Sequence, residues 1–559
     1  MIRFLLDQIL IELDDVSADM TVLDWLRIHQ QRTGTKEGCG SGDCGACTVV
    51  VATPDIAPVG CRNTTASDSS NTSSLSGLPA SSPDPSQGIS QSPVPKKLRY
   101  ESLNSCITFI GALHGKQLLT VESLAEGGEL HPVQQAMVDE HGSQCGFCTP
   151  GFVMSLYAMY QQTSDADAMA NADHAMLDRK IERALGGNLC RCTGYRPIKQ
   201  AAIRALAHRT ETSRQSKFTE QAIGQTRKQT RKQSSTPIGT QVDTQTDQRT
   251  RLSSDAVDHS DVFTTLVSLS DKAAHHVGFQ QPLSLSDLAE LVVQYPDAPL
   301  LAGGTDLALE VTQQMKNIPV MISVKAVPEL LQIDVADSSM MLGAAVSLTE
   351  CLRVMSDRIP GAEELLLRFG SDQVRNQATI GGNIGSASPI GDLPPMLIAL
   401  DAILVLQKGD TVREELLDDY FIDYRKTTLQ SGEFIRAVRI PLPESGSIFS
   451  VHKVSKRRDD DISSVCIAVN LPQKDGVTSN ARLVFGGMAA TPVRARGSET
   501  VLEGRAFDQM AVHEAQQVLA EELQPISDAR ASAAYRLQVA QNLLQRILME
   551  NQPSKELQN

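Results

Sequence analysis

Three cysteines stand in a loop made largely of glycine. They are Cys39, Cys44 and Cys47 of Gly38-Cys39-Gly40-Ser41-Gly42-Asp43-Cys44-Gly45-Ala46-Cys47. A C-x4-C-x2-C spacing is one at which thiolates hold a 2Fe–2S cluster. Glycine suits such a loop, because wrapping a compact anion needs positive φ angles and close approach of backbone N–H groups. The fourth thiolate has two candidates, Cys61 and Cys106. Cys61 borders a polar, low-complexity stretch, whereas Cys106 follows Ser102-Leu103-Asn104-Ser105, where apolar patterning has resumed. A ligand on a floppy segment costs ordering entropy, which favours Cys106. Zinc is the alternative, but structural zinc sites usually join two separate cysteine pairs.

A second set follows, with Cys145 and Cys148 in Gln144-Cys145-Gly146-Phe147-Cys148-Thr149-Pro150-Gly151, and Cys190 and Cys192 in Asn188-Leu189-Cys190-Arg191-Cys192-Thr193-Gly194. Both pairs fall at expected helix ends, where exposed N–H groups stabilise thiolate charge. Alone, this set would fit zinc; the tight C-x-C and the preceding loop shift it toward a second 2Fe–2S cluster. Further on, Leu300-Leu301-Ala302-Gly303-Gly304-Thr305-Asp306-Leu307 is a strand turning at paired glycines, and Thr379-Ile380-Gly381-Gly382-Asn383-Ile384-Gly385-Ser386 is a second small-residue loop. Together they suggest a cradle for a nucleotide pyrophosphate. Neither is G-x-G-x-x-G, so a Rossmann fold is not expected.

The elements that must position these groups are partly legible. Alternation of Ile2, Phe4 and Leu6, then Ile9, Ile11 and Leu13, predicts two half-buried strands. Thr21 is a candidate N-cap for a helix through Leu26. Helical spacing predicts helices over Phe152–Tyr157, Met176–Leu185 and Pro197–Ala207. Later, Ser286–Tyr295 reads as a helix and Pro319–Val324 as a strand, and the last ~50 residues are helix-prone. The Ser/Pro/Thr/Asn-rich stretch 54–97 reads as a disordered insert, and 209–260 as a disordered linker. In that linker Arg227-Lys228-Gln229-Thr230-Arg231-Lys232 is read as a solvated tether rather than a contact for an acidic partner.

Composition sets the outer limits. The 559 residues suggest three or four domains. A formal net charge of −15 argues against a general nucleic-acid or anionic-membrane binder. The 11 cysteines are odd in number in a long chain, which is unlike a disulfide scaffold. Acidic residues interrupt the N-terminus, so no signal peptide is expected, and no apolar run reaches the ~18 residues of a membrane span. A reducing, cytoplasmic setting follows as the expectation.

The motifs Lys36-Glu37-Gly38-Cys39, Gly42-Asp43-Cys44-Gly45-Ala46-Cys47, Gln144 to Gly151 and Gly187 to Ile198 resemble the xanthine dehydrogenase family of molybdenum hydroxylases. The resemblance implies an α+β multidomain chain. Its expected parts are a β-grasp 2Fe–2S ferredoxin-like domain (1–120), a four-helix 2Fe–2S domain (121–208), a two-subdomain vanillyl-alcohol-oxidase-type FAD-binding domain (261–445) and an α+β C-terminal flavoprotein subdomain (446–550). It selects Cys106 as the fourth ligand through the Asn-x-Cys pattern, and the long insert before it departs from the family. For FAD it implies Leu301, Ala302, Gly303, Gly304, Thr305, Asp306, Leu307, Phe369, Thr379, Gly382, Asn383, Ser386, Asp392, Ile435 and Lys453. Arg457–Ile462 is implied to border an NAD site, and Gln144 to face the pterin of a partner. With no room expected for a molybdopterin domain, the chain reads as the electron-transfer subunit of a split enzyme. A molybdopterin-binding large subunit would be its partner, in a heterotetramer of two small and two large subunits. NAD would accept the electrons, and no side chain would act as acid or base.

Overall fold

The first sheet explains most of the N-terminal half. Its strands are β1 (Ile2–Leu6), β2 (Ile9–Leu13), β3 (Thr48–Pro54), β4 (Leu98–Asn104) and β5 (Gln117–Leu119), in the order β2-β1-β5-β3-β4, with β1 and β5 parallel. Alternate residues point to opposite faces. Phe4, Leu6, Val49 and Val51 join Trp25 and Leu26 in one core, whereas Leu5, Val50 and Ala52 join Phe152, Ile181 and Ile198 in another. The sheet is therefore buried on both faces, which is why β3 reads as an unbroken apolar run. Thr21 caps the helix that carries Trp25, accepting from Asp24 N at 3.1 Å.

The computed structural model describes residues 1–55, 97–163, 174–209, 259–276 and 278–552. Cys61, most of the expected insert and most of the expected linker, including Arg227–Lys232, lie outside the described residues. Their edges are corrected, however. Pro54 ends β3 and pairs with Leu98 across the hairpin. Arg209 ends a helix over 196–209, and the helix His259–Ser270 begins inside the stretch expected to be linker.

The second portion is built of helices: Pro132–Asp139, Thr149–Gln162, His174–Leu185 and 196–209. It packs on the β1/β3 face that carries Leu5 and Val50. The flavin-type portion has two lobes. One holds a four-stranded sheet (Ala274–His276, Phe279–Gln281, Met321–Ser323, Leu300–Leu301) and the helix Leu285–Gln294. Here the expected strand is shorter than Pro319–Val324, since pairing with Phe279 and with Leu300–Leu301 reaches only 321–323. The other lobe holds a five-stranded sheet whose edges are Ile333–Val335 and Thr411–Leu416 and whose central strand is Phe434–Pro441. The C-terminal portion is a four-stranded sheet covered by the helices Gln509–Glu522 and Ala533–Asn551. Among the described residues no helix is long and apolar enough to cross a membrane.

The start of the flavin-type portion is folded into the first one. Val262 and Leu266 lie in the core between the first sheet and the helical portion, and Ala274 and Phe279 lie in the core behind Trp25. The sheet core itself is tested by Phe4→Ala. Phe4 is fully buried and stands edge-on to Trp25, with ring centroids 5.2 Å apart. The substitution should cost about 3–5 kcal/mol. The denaturant midpoint followed through Trp25, the sole tryptophan in the sequence, checks it.

Candidate electron-transfer site

The antiparallel register of β3 and β4 places Thr48 opposite Asn104, so the residues just beyond, Cys47 and Cys106, meet. Their Sγ atoms are 3.3 Å apart, and both are buried. The 56–96 stretch enters at the other tip of this hairpin, where Pro54 faces Leu98, about 20 Å along the strands. Asn104 fastens the glycine loop by donating from Nδ2 to Gly42 O at 2.7 Å. Gly40, Gly42 and Gly45 all take positive φ, as the loop path demands.

Protons are shared within this set. Cys39 is held well below the usual thiol range, chiefly because Cys106 and then Cys44 hydrogen-bond to it. Cys47 is drawn down first by the Cys106 thiol. Cys106 and Cys44 are pushed up by the same bonds to Cys39, with burial adding to both. In the second set Cys192 Sγ lies 3.4 Å from Cys145 Sγ. Cys145 is lowered first by the Phe147 N–H and then by Cys192. Burial, then a bond to Cys190, pushes Cys148 up to about 12. Burial opposes ionisation of Cys190, yet the Thr193 hydroxyl and N–H outweigh it and bring that thiol to about 7.

Among the described residues, no three His, Cys, Asp or Glu side chains converge on one point as a single metal ion needs. In the first set the four thiols are linked in one chain, Cys44 to Cys39 to Cys106 to Cys47, and in the second Cys145 meets Cys192 and Cys148 meets Cys190, so each set gathers four thiols, the number a 2Fe–2S cluster takes. The fit of these residues to 2Fe–2S clusters rests on that gathering of four thiols and on the positive-φ glycine loop. The two sets touch. Leu189 N donates to Cys44 O at 3.0 Å, and Gly45 approaches so closely that a Cβ there would stand 2.2 Å from Gly187 O. Cys145 and Cys192 are exposed, as are Gln144, Phe147, Leu189 and Tyr195 around them.

On the other side of the first set lies a cavity of about 760 Å³, of a size that holds a cofactor. The first glycine turn lines it from Ala302 through Leu307, the second through Thr379, Gly382, Asn383 and Ser386, and Phe369, Asp392, Ile435 and Lys453 complete the expected set. Leu301 is the exception. It is 2% exposed and packs in the core behind the turn. Gly303 admits no side chain, since a Cβ would meet Gln377 O at 2.2 Å. Asn383 Oδ1 is buried without a hydrogen-bond partner, an orphan acceptor beside the cradle that suits a polar ligand. Arg375 Nη1 donates to the carbonyls of Leu367 and Phe369, each at 3.0 Å, which fixes the turn presenting Phe369. Lys453 Nζ donates to Asp392 Oδ2 at 2.7 Å in a buried ion pair. These residues fit an FAD.

Sequence reasoning missed part of the wall. Ser41 and Asp43 of the cysteine loop and Ile107 beside Cys106 line the same cavity. No local pattern signals such a contact between segments so far apart in the chain. Arg457, Asp460, Asp461 and Ile462 also line it, rather than forming only a solvated turn. Burial, and then the charge of Asp43, raises the Asp460 carboxyl to about 7.

Four family models match the chain in sequence. They describe a 2Fe–2S iron–sulfur cluster binding domain at residues 6–72, a 2Fe–2S binding domain at 120–203, an FAD binding domain in molybdopterin dehydrogenase at 275–443, and a CO dehydrogenase flavoprotein C-terminal domain at 450–551. Xanthine dehydrogenase 2 of Arabidopsis thaliana is 32% identical over 542 residues, covering 91% of this chain and 36% of the relative. Xanthine dehydrogenase/oxidase of Gallus gallus is 33% identical over 551 residues, covering 91% and 37%. The chain belongs to the molybdenum hydroxylase family. It carries that family's iron–sulfur and FAD-binding domains and spans about a third of the length of the curated relatives it matches. Among solved structures, a carbon monoxide dehydrogenase from Hydrogenophaga pseudoflava is 27% identical with a TM-score of 0.46, covering 48% of this chain and 94% of that one.

Three substitutions test the assignments in this molybdenum hydroxylase chain. Cys106→Ser should lower iron from about four to about two atoms per chain, whereas Cys61→Ser should leave it unchanged. Iron analysis with electron paramagnetic resonance of the reduced protein reads both. Lys453→Met should strand the buried Asp392 carboxylate, cost about 3–5 kcal/mol and release FAD on gel filtration.

Proposed function

We propose that this chain is the electron-transfer subunit of a xanthine dehydrogenase. In this reading electrons arrive from a molybdenum centre on a partner subunit, cross the two cysteine sets in turn, reach FAD and leave on NAD as hypoxanthine and xanthine become urate. The observation that carries it is the shared wall. Ser41, Asp43 and Ile107 belong both to the first cysteine set and to the flavin-type cavity, and Leu189 joins the second set to the first. The exposed Cys145 and Cys192, the more deeply set Cys39, Cys44, Cys47 and Cys106, and a cofactor-sized cavity thus follow one another through the molecule.

When bound, the clusters supply one-electron steps and FAD exchanges one-electron with two-electron chemistry. The chain's own residues do the rest. Cys39, Cys44, Cys47 and Cys106 would hold one cluster, and Cys145, Cys148, Cys190 and Cys192 the other. The hydrogen bonds from Ser41 N to Cys39 Sγ and from Thr193 N to Cys190 Sγ, both at 3.4 Å, stabilise negative charge on sulfur and so tune potential. The glycine turns at 303–304 and 381–382 would take the pyrophosphate, and Phe369 would lie against the flavin. Arg457 and Asp461, linked by the Arg457 N–H to the Asp461 carboxylate at 2.8 Å, would shape the approach of NAD. The exposed face of Gln144, Cys145, Phe147, Leu189 and Tyr195 would receive the molybdopterin-binding large subunit, within a cytoplasmic heterotetramer.

The full chain expressed with its natural neighbours should co-purify with a molybdenum-containing subunit. It should contain one FAD and about four irons per chain, and the complex should reduce NAD with xanthine. Turnover of an aldehyde or another N-heterocycle in place of xanthine would reassign the substrate. Colourless, zinc-containing protein would overturn the electron-transfer reading altogether.

A further inference from the structure

The helix Asp372–Gln377 belongs to the flavin-type portion, yet Gln373 on it is completely buried against the two cysteine-bearing portions. Gln373 Nε2 lies 3.0 Å from Ser155 Oγ, 3.1 Å from Asn188 Oδ1 and 3.5 Å from Thr48 Oγ1. The Ser155 hydroxyl donates to Asn188 Oδ1 at 2.6 Å. Asn188 Nδ2 in turn donates to Gly45 O at 3.0 Å and to Thr48 Oγ1 at 3.3 Å, and the Thr48 hydroxyl donates to Gly45 O at 2.7 Å. Every donor in this knot points one way, from Gln373 through Asn188 to the carbonyl between Cys44 and Cys47.

Its position in the chain is equally specific. Gly45 and Thr48 flank the first cysteine set, Asn188 stands two residues before Cys190, and Ser155 lies on the helix that starts after Cys148. The knot therefore sits beside the Leu189 N to Cys44 O bond that joins the two sets. Gln373 also leaves its own Oε1 buried without a partner, against the Gly187 backbone. A bare buried acceptor costs stability that an apolar side chain of the same length would avoid. Filling a gap between domains does not call for this amide; holding Asn188 and Ser155 in a set geometry does.

We propose that Gln373 is a positioning residue for electron passage between the two cysteine sets, fixing their separation from the flavin side. This rests on the electron-transfer reading above. In the step concerned one electron leaves the set at Cys145–Cys192 and enters the set at Cys39–Cys106, and no bond forms or breaks. Without the Gln373 amide, the 187–189 loop keeps its bonds to Ser155 and to the 44–48 loop and loses its hydrogen bond to the flavin-type portion. A carboxylate at the same place would face Asn188 Oδ1 acceptor to acceptor and put negative charge between the two sets.

The test uses the iron-loaded full chain carrying Gln373→Met or Gln373→Glu. Electron paramagnetic resonance of the fully reduced protein reads the magnetic interaction between the two clusters, and a redox titration reads their potentials. In Gln373→Met, iron and flavin content should stay at the wild-type level while the interaction splitting narrows. In Gln373→Glu both midpoint potentials should move to more negative values. Wild-type splitting and potentials in these variants would overturn the proposal, whatever happened to the melting temperature. If Gln373→Met does not fold, Ser155→Ala, which removes a single oxygen from the knot, carries the same expectation. A wild-type protein without two iron–sulfur signals would overturn the electron-transfer reading and this proposal together. Two wild-type signals unmoved by the variants would overturn this proposal alone.

Discussion

The pairing of β3 with β4 is the constraint on which the remaining geometry depends. Its register, Thr48 against Asn104, fixes where Cys47 and Cys106 emerge and so where the first four thiols gather. From that point the molecule extends in two directions. Cys44 O receives the second set through Leu189, while Asp43 and Ile107 open onto the flavin-type cavity. A one-residue slip would turn Val49, Val50 and Val51 to the wrong faces of a sheet buried on both sides, so the apolar alternation holds the register that the chemistry uses.

What the sequence made legible was local. Cysteine spacing, paired glycines and cap residues each act within a few positions, and Thr21, Cys148 and the Gly303–Gly304 turn are found where such signals place them. The choice between Cys61 and Cys106 was harder, because sequence distance suggested the nearer cysteine. The hairpin removes the paradox, since Pro54 and Leu98 pair at its far tip while Cys47 and Cys106 meet at the other end. The flavin-type cradle was legible as two loops, but not Leu301, whose side chain points into the core behind the turn.

What was not legible was contact between distant segments. Asp43 on the cavity wall and Gln373 beneath the cysteine loops carry no motif, and only folding brings residue 373 to residues 48, 155 and 188. Long-range packing at the edges of portions is hidden for a related reason. Composition marks where polar chain ends, but the helix carrying Val262 and Leu266 packs by long-range burial against β1 and β3, more than about 200 residues earlier in the chain. Composition alone therefore does not reveal that the helix His259–Ser270 packs on the first sheet.

That helix has a consequence for how the polypeptide could be divided. The helix over 196–209 and the helix His259–Ser270 pack on the same core, the latter against β1 and β3. A break in the backbone anywhere between those two helices would separate no packed elements among the described residues. The pieces would remain one particle, clasped by Val262, Leu266 and Phe279. Gene fission at that position would thus yield two polypeptides whose described elements still pack as in the uncut chain, whereas a cut just after Phe279 would split the strand Phe279–Gln281 and place its first residue on a different piece from its partner Met321–Ser323.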